Sequence, residues 1–345
     1  DVSYASEKLR EEKYAFSDLE VKQYFPEDKV LSGLFKVVET IFAINVIKSQ
    51  ASVWHDSASF YDIKDAHGHL IGQFYLDLYA RNNKRGGAWM DEAITRRKVL
   101  DQVTTPVAFL TCNFSAPVGD KPALFTHDEV LTMFHEFGHA IHYLNYDITW
   151  PGLGGTPRDF VEYPSQVNEN WLLTPYILNT YAKHYKTGEP IPAALVEKIR
   201  ASDTFNQGFS TVEYLSSAIL DMKLHNRSEP VTDPRAFERD TLAEIGMPKE
   251  MAMRHRLPQF NHLFADDGYS AGYYSYLWSE TMDADTWAAF TEKGDVWDKE
   301  TAERFRSMLL ATGNETDRIE AYRAFRGRDP DVKYIMKKRG FPTGE

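Results

Sequence analysis

The sequence has only one cysteine, Cys112, and it lacks any long hydrophobic run. A single thiol excludes internal disulfides and a zinc site built from several cysteines. No segment approaches the roughly 20 apolar residues of a membrane helix, and the charged stretch from Asp1 to Lys13 does not resemble a signal peptide. These absences predict a cytoplasmic protein that does not interact with a membrane.

Positive charge is also in short supply. The chain has 39 Lys and Arg residues against 51 Asp and Glu residues, which gives a net charge of -12 at pH 7. Its basic clusters, such as Arg96 to Lys98, are short, so a phosphate backbone would find little to bind. We therefore expect no nucleic-acid partner.

The length and the hydrophobic content allow one substantial core. The chain has 345 residues, of which 43% are hydrophobic. It shows no internal repeat, no low-complexity linker and no shift of composition that would mark a domain boundary. We therefore expect a single region over residues 1–345.

Helical patterns dominate, with a small β contribution. Residues 2–24 are polar with a helical pattern, and apolar residues recur at helical spacing from Val30 to Ile41. Apolar and polar residues alternate from Leu70 to Tyr79, and Val107 to Phe114 is a second β-like run. The chain beyond residue 155 is mostly compatible with helix. The predicted fold class is therefore mainly α, with a small β-sheet.

One helix carries a motif with metal-binding spacing. The pattern Thr126-His-Asp-Glu129 is typical of a capping box and predicts a helix that runs to about Leu144. Inside it, His135 and His139 are four residues apart, so a helix presents both imidazoles on one face, as two nitrogen ligands of a tetrahedral zinc ion require. On these letters alone, the motif also fits a solvated helix face with a few core histidines.

Glu136 lies next to the first of these histidines, where it can accept a proton from a metal-bound water instead of binding the metal. Zinc lowers the pKa of such a water toward about 7 and polarises a carbonyl, while a carboxylate moves the proton. The motif therefore predicts Glu136 as the general base of a hydrolytic site.

A catalytic zinc ion needs a third protein ligand and one open position. The glycine-rich loop at residues 152–155 can reverse the chain, and Val161 to Leu173 can form a second helix whose start faces the first. Glu162 on that helix would complete a His, His, Glu set. Asp159 and Glu169 are rival carboxylates that spacing does not exclude. Ser165, Gln166 and Glu169 are candidates to accept the second ring N–H of a ligand histidine.

Several motifs together resemble the thimet oligopeptidase family of zinc peptidases, which has oligopeptidase A and dipeptidyl carboxypeptidase branches. Four segments carry the resemblance: Gly72 to Trp89, Phe134 to His139, Arg158 to Gln166 and Gly268 to Trp278. It implies a helical, zincin-like catalytic domain with a small sheet near the active site, and one Zn²⁺ per chain held by His135, His139 and Glu162. Family members are longer than this chain, so it also implies the catalytic C-terminal half, with the missing N-terminal half of the same protein as its partner.

A tyrosine-rich segment in the C-terminal third of the chain has two interpretations. On the residues alone, Tyr269, Tyr273 and Tyr276 are typical of a buried aromatic stripe. The resemblance instead implies His262 and Tyr276 as catalytic hydrogen-bond donors, with Tyr269 and Tyr273 as substrate contacts. A phenol or imidazole aimed at the oxyanion of a tetrahedral intermediate could lower the barrier by about 3 kcal/mol.

The function expected is zinc-dependent hydrolysis of peptide bonds in short peptides. The stretch from Lys84 to Glu136 resembles oligopeptidase A more, whereas Thr204 to Met222 resembles dipeptidyl carboxypeptidase more, so the choice between endopeptidase and peptidyl-dipeptidase stays open. The alternative is a non-catalytic peptide-binding fragment that lacks the N-terminal half of the channel. Intact Glu136 favours the enzyme.

Overall fold

The computed structural model describes residues 2–148, 150, 152–265 and 267–344. Helices make up most of the secondary structure, as predicted. In chain order they are α1 Val2–Tyr14, α2 Asp18–Val21, α3 Glu27–Phe42, α4 His127–Leu144, α5 Arg158–Glu169, α6 Pro175–Tyr181, α7 Ala193–Ser202, α8 Gln207–His225, α9 Pro234–Glu244, α10 Asn261–Phe264, α11 Ser275–Glu292, α12 Lys299–Phe305, α13 Arg318–Arg326 and α14 Val332–Lys338.

A five-stranded mixed sheet and a two-stranded ribbon provide the β contribution. The strands are β1 Asn45–Ser49, β2 Ser59–Lys64, β3 Leu70–Tyr79, β4 Trp89–Ile94, β5 Arg97–Val99, β6 Gln102–Thr104 and β7 Val107–Phe114. The sheet order is β1-β2-β3-β7-β4, and β5 pairs with β6. The predicted alternating run and the second predicted β-like run coincide with β3 and β7, which are parallel neighbours, while the other pairings of the described strands are antiparallel.

Helix α4 lies across the centre of this sheet. The ring of Phe137 on α4 meets that of Phe74 on β3 edge to face, with 5.3 Å between ring centroids. The approach is close enough to need a glycine, because a Cβ at Gly72 would lie 2.9 Å from a side-chain atom of Leu144. The sheet therefore fixes the position of the helix that bears the predicted metal ligands.

The helical pattern of residues 2–24 is interrupted in the structure. Helix α1 ends at Tyr14, and Ala15 has a left-handed conformation with φ of 53° that a continuous helix does not allow. The predicted helix from Val161 to Leu173 is displaced toward the N-terminus. It is α5, which ends at Glu169. The side-chain amide of Asn170 donates to the carbonyls of Gln166 and Val167 and thereby caps this end of the helix.

Two apolar clusters lie in the described part of the chain. The larger one includes most of the sheet and helices α3 to α6, and it buries aromatic side chains such as Phe134, Phe137 and Trp171 completely or nearly so. The smaller cluster joins α8 to residues 253–273, and it contains Leu220 and Phe260. None of the described helices combines the length and the apolar character needed to cross a bilayer.

Candidate metal centre

Helix α4 begins as its sequence predicts. The hydroxyl of Thr126 accepts the backbone N–H of Glu129 at 3.1 Å, and the carboxylate of Glu129 accepts the N–H of Thr126 at 2.8 Å. This capping box fixes where the helical turns start, and therefore which face His135 and His139 share. Their ring centroids are 4.9 Å apart.

Helix α5 packs unusually close to α4 beside these histidines. A Cβ at Gly138 would lie 2.6 Å from the Cα of Ser165, so only glycine fits between His135 and His139 at this crossing. Asn168 fastens the same crossing, because its side-chain amide donates to the carbonyl of Phe134 at 2.6 Å. Sequence reasoning missed both residues, although a glycine inside a strong helix pattern signals a close approach of backbones.

The crossing brings the three predicted ligands together. One side-chain donor atom from each of His135, His139 and Glu162 lies within 4.8 Å of the other two. The Oε2 of Glu162 is 3.1 Å from Nε2 of His135 and 3.3 Å from Nε2 of His139. Burial works to raise the pKa of Glu162, but hydrogen bonds from the two histidines lower it below its ordinary value, so the carboxylate stays ionised. The three residues can hold a metal ion.

Glu169 supports the first histidine from behind. Its Oε1 lies 2.6 Å from Nδ1 of His135, which donates to the carboxylate. Burial lowers the pKa of His135, but its hydrogen bonds to Glu162 and Glu169 raise the pKa well above its ordinary value, so both ring nitrogens donate. A metal ion would replace the proton on Nε2, while Nδ1 would still donate to Glu169. The two other residues considered for this task act elsewhere. The hydroxyl of Ser165 donates to the carbonyl of Glu162, and the amide of Gln166 donates to the carbonyl of Tyr276.

Asp159, the other rival for the third ligand, faces away from the group. Its Oδ2 accepts the hydroxyl of Tyr274 at 3.0 Å, and its carbonyl accepts the hydroxyl of Ser279. It lines a cavity with Trp278 and Arg318 that contains none of the three clustered residues.

Glu136 is a buried carboxylate with an unsatisfied oxygen. Its side chain is 7% exposed, and its Oε2 has no hydrogen-bond partner among the described residues. Burial raises the pKa of Glu136, while the neighbouring charges of His139 and His135 lower it in part. A buried carboxylate without a partner is costly, and such costs are retained at sites of function.

The tyrosine segment faces this group from the start of α11. The hydroxyls of Tyr269 and Tyr276 are 2.9 Å apart, and their rings are parallel. The amide of Gln166, four residues after Glu162, donates to the carbonyl of Tyr276 at 3.3 Å. Burial raises the pKa of Tyr276, and the charge of Glu162 raises it further, so this phenol is a neutral hydrogen-bond donor. Tyr273 is only 8% exposed and packs against Phe260 in the smaller apolar cluster.

His262 lies next to the same tyrosines. Its ring centroid is 5.2 Å from that of Tyr269 and 5.7 Å from that of Tyr273. The residue is exposed, yet partial burial of its ring and the nearby side chains of His255 and Arg254 lower its pKa, so the imidazole is neutral at pH 7. The structure thus groups all four residues predicted for the substrate side.

The sequence of this chain is similar to those of known peptidases. The sequence profile of peptidase family M3 matches residues 1–341. Oligopeptidase A of Escherichia coli is 41% identical over 349 residues, which cover 99% of this chain and 51% of that protein. Dipeptidyl carboxypeptidase of Salmonella typhimurium is 38% identical over 348 residues, which cover 99% of this chain and 50% of that protein. The chain therefore spans about half the length of the relatives it matches.

The fold is shared with more distant peptidases. An M32 carboxypeptidase from Deinococcus radiodurans superimposes with a TM-score of 0.53 at 13% identity, over 94% of this chain and 61% of that one. This likeness confirms the predicted helical, zincin-like fold, and at so low an identity it supports the fold alone.

Proposed function

The chain belongs to peptidase family M3, and from this premise we propose that it hydrolyses peptide bonds in short peptides with one zinc ion held by His135, His139 and Glu162. The observation that carries the proposal is the convergence of these three donors within 4.8 Å of one another, next to the buried carboxylate of Glu136. Two imidazoles and one carboxylate are the donor set of a catalytic zinc site with an open position.

The roles of metal and protein are distinct in this proposal. A zinc ion at this site supplies a Lewis acid that acidifies water and polarises the scissile carbonyl. Glu136 takes the proton of the attacking water and passes it to the leaving amine. Its burial supports this role, because a raised pKa makes the carboxylate a better base. Glu169 holds His135 in the tautomer that exposes Nε2.

The substrate side of the site is formed by the tyrosine segment and His262. Tyr276 and His262 donate hydrogen bonds to the oxyanion as it forms, while Tyr269 and Tyr273 contact the peptide. The hydrogen bond from Gln166 on α5 to the carbonyl of Tyr276 supports the nearness of this residue to the ligand group. A neutral phenol is a donor, as oxyanion stabilisation requires.

We further propose that residues 1–345 act as one catalytic region and that the N-terminal half of the same protein supplies the opposite wall of a peptide channel. The relatives, which are about twice as long as the chain, motivate this arrangement. Both an oligopeptidase and a peptidyl-dipeptidase fit it. The cytoplasmic location stays a prediction.

The proposal is tested on the protein at its full natural length. Zinc per chain is measured by elemental analysis, and cleavage of a quenched fluorescent peptide is followed with and without a chelator. Glu136→Gln is the matched control, since the amide keeps the shape of the side chain but takes up no proton. We expect about one zinc ion per chain in both proteins and cleavage only by the wild type. Zinc binding without cleavage by the wild type would favour the peptide-binding alternative.

Product analysis separates the two enzyme classes. A peptidyl-dipeptidase needs the free C-terminal carboxylate of its substrate, so it would cleave a peptide acid and spare the matching C-terminal amide. An oligopeptidase would cleave both peptides at the same internal bond, which mass spectrometry of the products reveals.

A further inference from the structure

A buried carboxylate on α8 lies under the turn that presents the tyrosines. Asp221 is 1% exposed. Its Oδ1 accepts the backbone N–H of Ala271 at 3.0 Å, and its Oδ2 accepts the N–H of Tyr273 at 2.9 Å. The Nδ1 of His225, one turn further along α8, donates to Oδ1 at 2.7 Å. Both oxygens of one side chain are therefore used, two of the three bonds being to the backbone of the tyrosine segment.

The turn that these bonds hold is conformationally costly. Ala271 has a left-handed backbone with φ of 55°, which a residue with a Cβ rarely adopts. Hydrogen bonds to an ionised acceptor are stronger than those to a neutral one, so a carboxylate suits the task of keeping this turn in place. The bonds to Ala271 and Tyr273 flank Gly272 and fix the direction in which the chain enters α11.

Helix α8 holds the tyrosine segment at a second point, through Tyr214. The hydroxyl of Tyr214 donates to the carbonyl of Tyr273 and accepts the N–H of Leu277 at 3.2 Å. Tyr276 therefore lies between two points that α8 fixes, and its hydroxyl is paired with that of Tyr269. In the described part of the chain, no hydrogen bond links Asp221 to the three candidate metal ligands.

From this arrangement we propose that Asp221 is a positioning residue, which holds the turn at Ala271 to Tyr273 so that the hydroxyl of Tyr276 is aimed at the reacting carbonyl. The inference rests on the proposed function, because it needs Tyr276 to act in the transition state. Asp221 is buried and acts only through the backbone that it fixes. Its loss should therefore lower kcat and leave the zinc content nearly unchanged.

The main variant is Asp221→Asn, which keeps the size of the side chain but places an NH₂ group against one of its N–H partners. We expect kcat to fall by between about 10-fold and 100-fold, as for other small displacements of a catalytic group. The matched control is Asp285→Asn. Asp285 is also fully buried and accepts a backbone N–H, that of Asp331, but it holds the C-terminal segment instead of the tyrosine turn. The control should lower the melting temperature with little change of kcat.

A second measurement does not depend on activity. Hydrogen-deuterium exchange of the peptide that covers residues 268–276 should be faster in Asp221→Asn than in the wild type, and unchanged in Asp285→Asn. Equal exchange in all three proteins would overturn the inference, because the turn would then hold without Asp221.

A double variant connects the two residues. If Asp221 acts through Tyr276, then Asp221→Asn should have little further effect on kcat in a Tyr276→Phe protein. Multiplicative losses would mean that Asp221 acts on general stability, and the inference would fail while the proposed function stands. A Tyr276→Phe enzyme with normal kcat would instead refute the proposed role of Tyr276, and the two failures are thereby distinguished.

Discussion

We expect the three carboxylates of helix α5 to differ in their contribution to metal binding. Glu162 points into the ligand group, Glu169 supports His135, and Asp159 accepts the hydroxyl of Tyr274 at the first turn of α5. We expect zinc affinity to fall most in Glu162→Ala, less in Glu169→Ala and hardly at all in Asp159→Ala. All three changes remove one negative charge from the same helix, so the three variants are compared at the same change of net charge.

The magnitudes follow from the roles. Structural zinc sites bind with roughly 10–16 kcal/mol over four ligands, so the loss of one ligand costs on the order of 3 kcal/mol, or more than about 100-fold in affinity. Loss of the group that orients a ligand histidine typically costs about 10-fold to 100-fold. Asp159→Ala gives up one exposed hydrogen bond to Tyr274, and we expect its zinc affinity to stay within about 3-fold of the wild type.

Competition with a chelator of known zinc affinity measures all three variants on one scale. Circular dichroism of the metal-free proteins is the control, since each must be as helical as the wild type. If Asp159→Ala were the weakest binder, the third ligand would be Asp159 and the orientation of α5 described above would be wrong. If Glu169→Ala bound zinc like the wild type, the hydrogen bond to His135 would be dispensable for orientation.

Three further predictions concern single side chains. Glu136→Gln should keep zinc and lose turnover, because the amide accepts no proton; near wild-type hydrolysis in a steady-state assay would contradict the general-base role. Tyr276→Phe should lower kcat by about 100-fold or more with little change of KM, whereas Tyr269→Phe should act mainly on KM. If Tyr276→Phe instead left kcat unchanged and shifted the melting temperature, Tyr276 would be a core residue. Burial lowers the pKa of His142 to about 3. Below about pH 6.5 the unfolded chain therefore binds a proton at this residue, whereas the folded protein does not. The free energy of unfolding that His142 contributes is complete above this pH and is lost as the pH falls toward 3. Urea unfolding of the metal-free protein should show that His142→Phe loses less stability between pH 6 and pH 5 than the wild type, by up to about 1.4 kcal/mol; equal losses would show that His142 does not resist protonation.

Local patterns predicted the metal-binding half of the site well. The capping box at Thr126 and the spacing of His135 and His139 depend only on neighbours in one helix, and the structure has α4 where they predict it. Strands β3 and β7 were equally readable, because β3 alternates over much of its length and β7 is a continuous β-like run that is buried on both faces. Strands such as β4, with most of its residues exposed, carry no such pattern and were missed.

The choice among the carboxylates of α5 was beyond local patterns. On a helix, Asp159 and Glu162 are about 60° apart and Glu162 and Glu169 about 20° apart, so all three lie on nearly the same side. What separates them is non-local: the hydroxyl of Tyr274 from the start of α11 engages Asp159, and the close crossing with α4 at Gly138 sets how deep Glu162 reaches. Neither contact can be derived from the sequence of α5.

The substrate side depends on longer connections still. The three candidate metal ligands belong to helices of the larger apolar cluster, whereas Tyr273 and its neighbours pack in the smaller cluster against α8, about fifty residues earlier in the chain. The aim that we propose for Tyr276 is therefore set by a carboxylate and a phenol of α8 that no spacing rule connects to it. The proposed reaction requires both clusters to hold their groups in register, since a donor displaced by about 1 Å from the oxyanion loses most of its effect. A motif search of this chain finds the candidate metal ligands, and the structure is needed to find the residues that hold the tyrosine segment beside them.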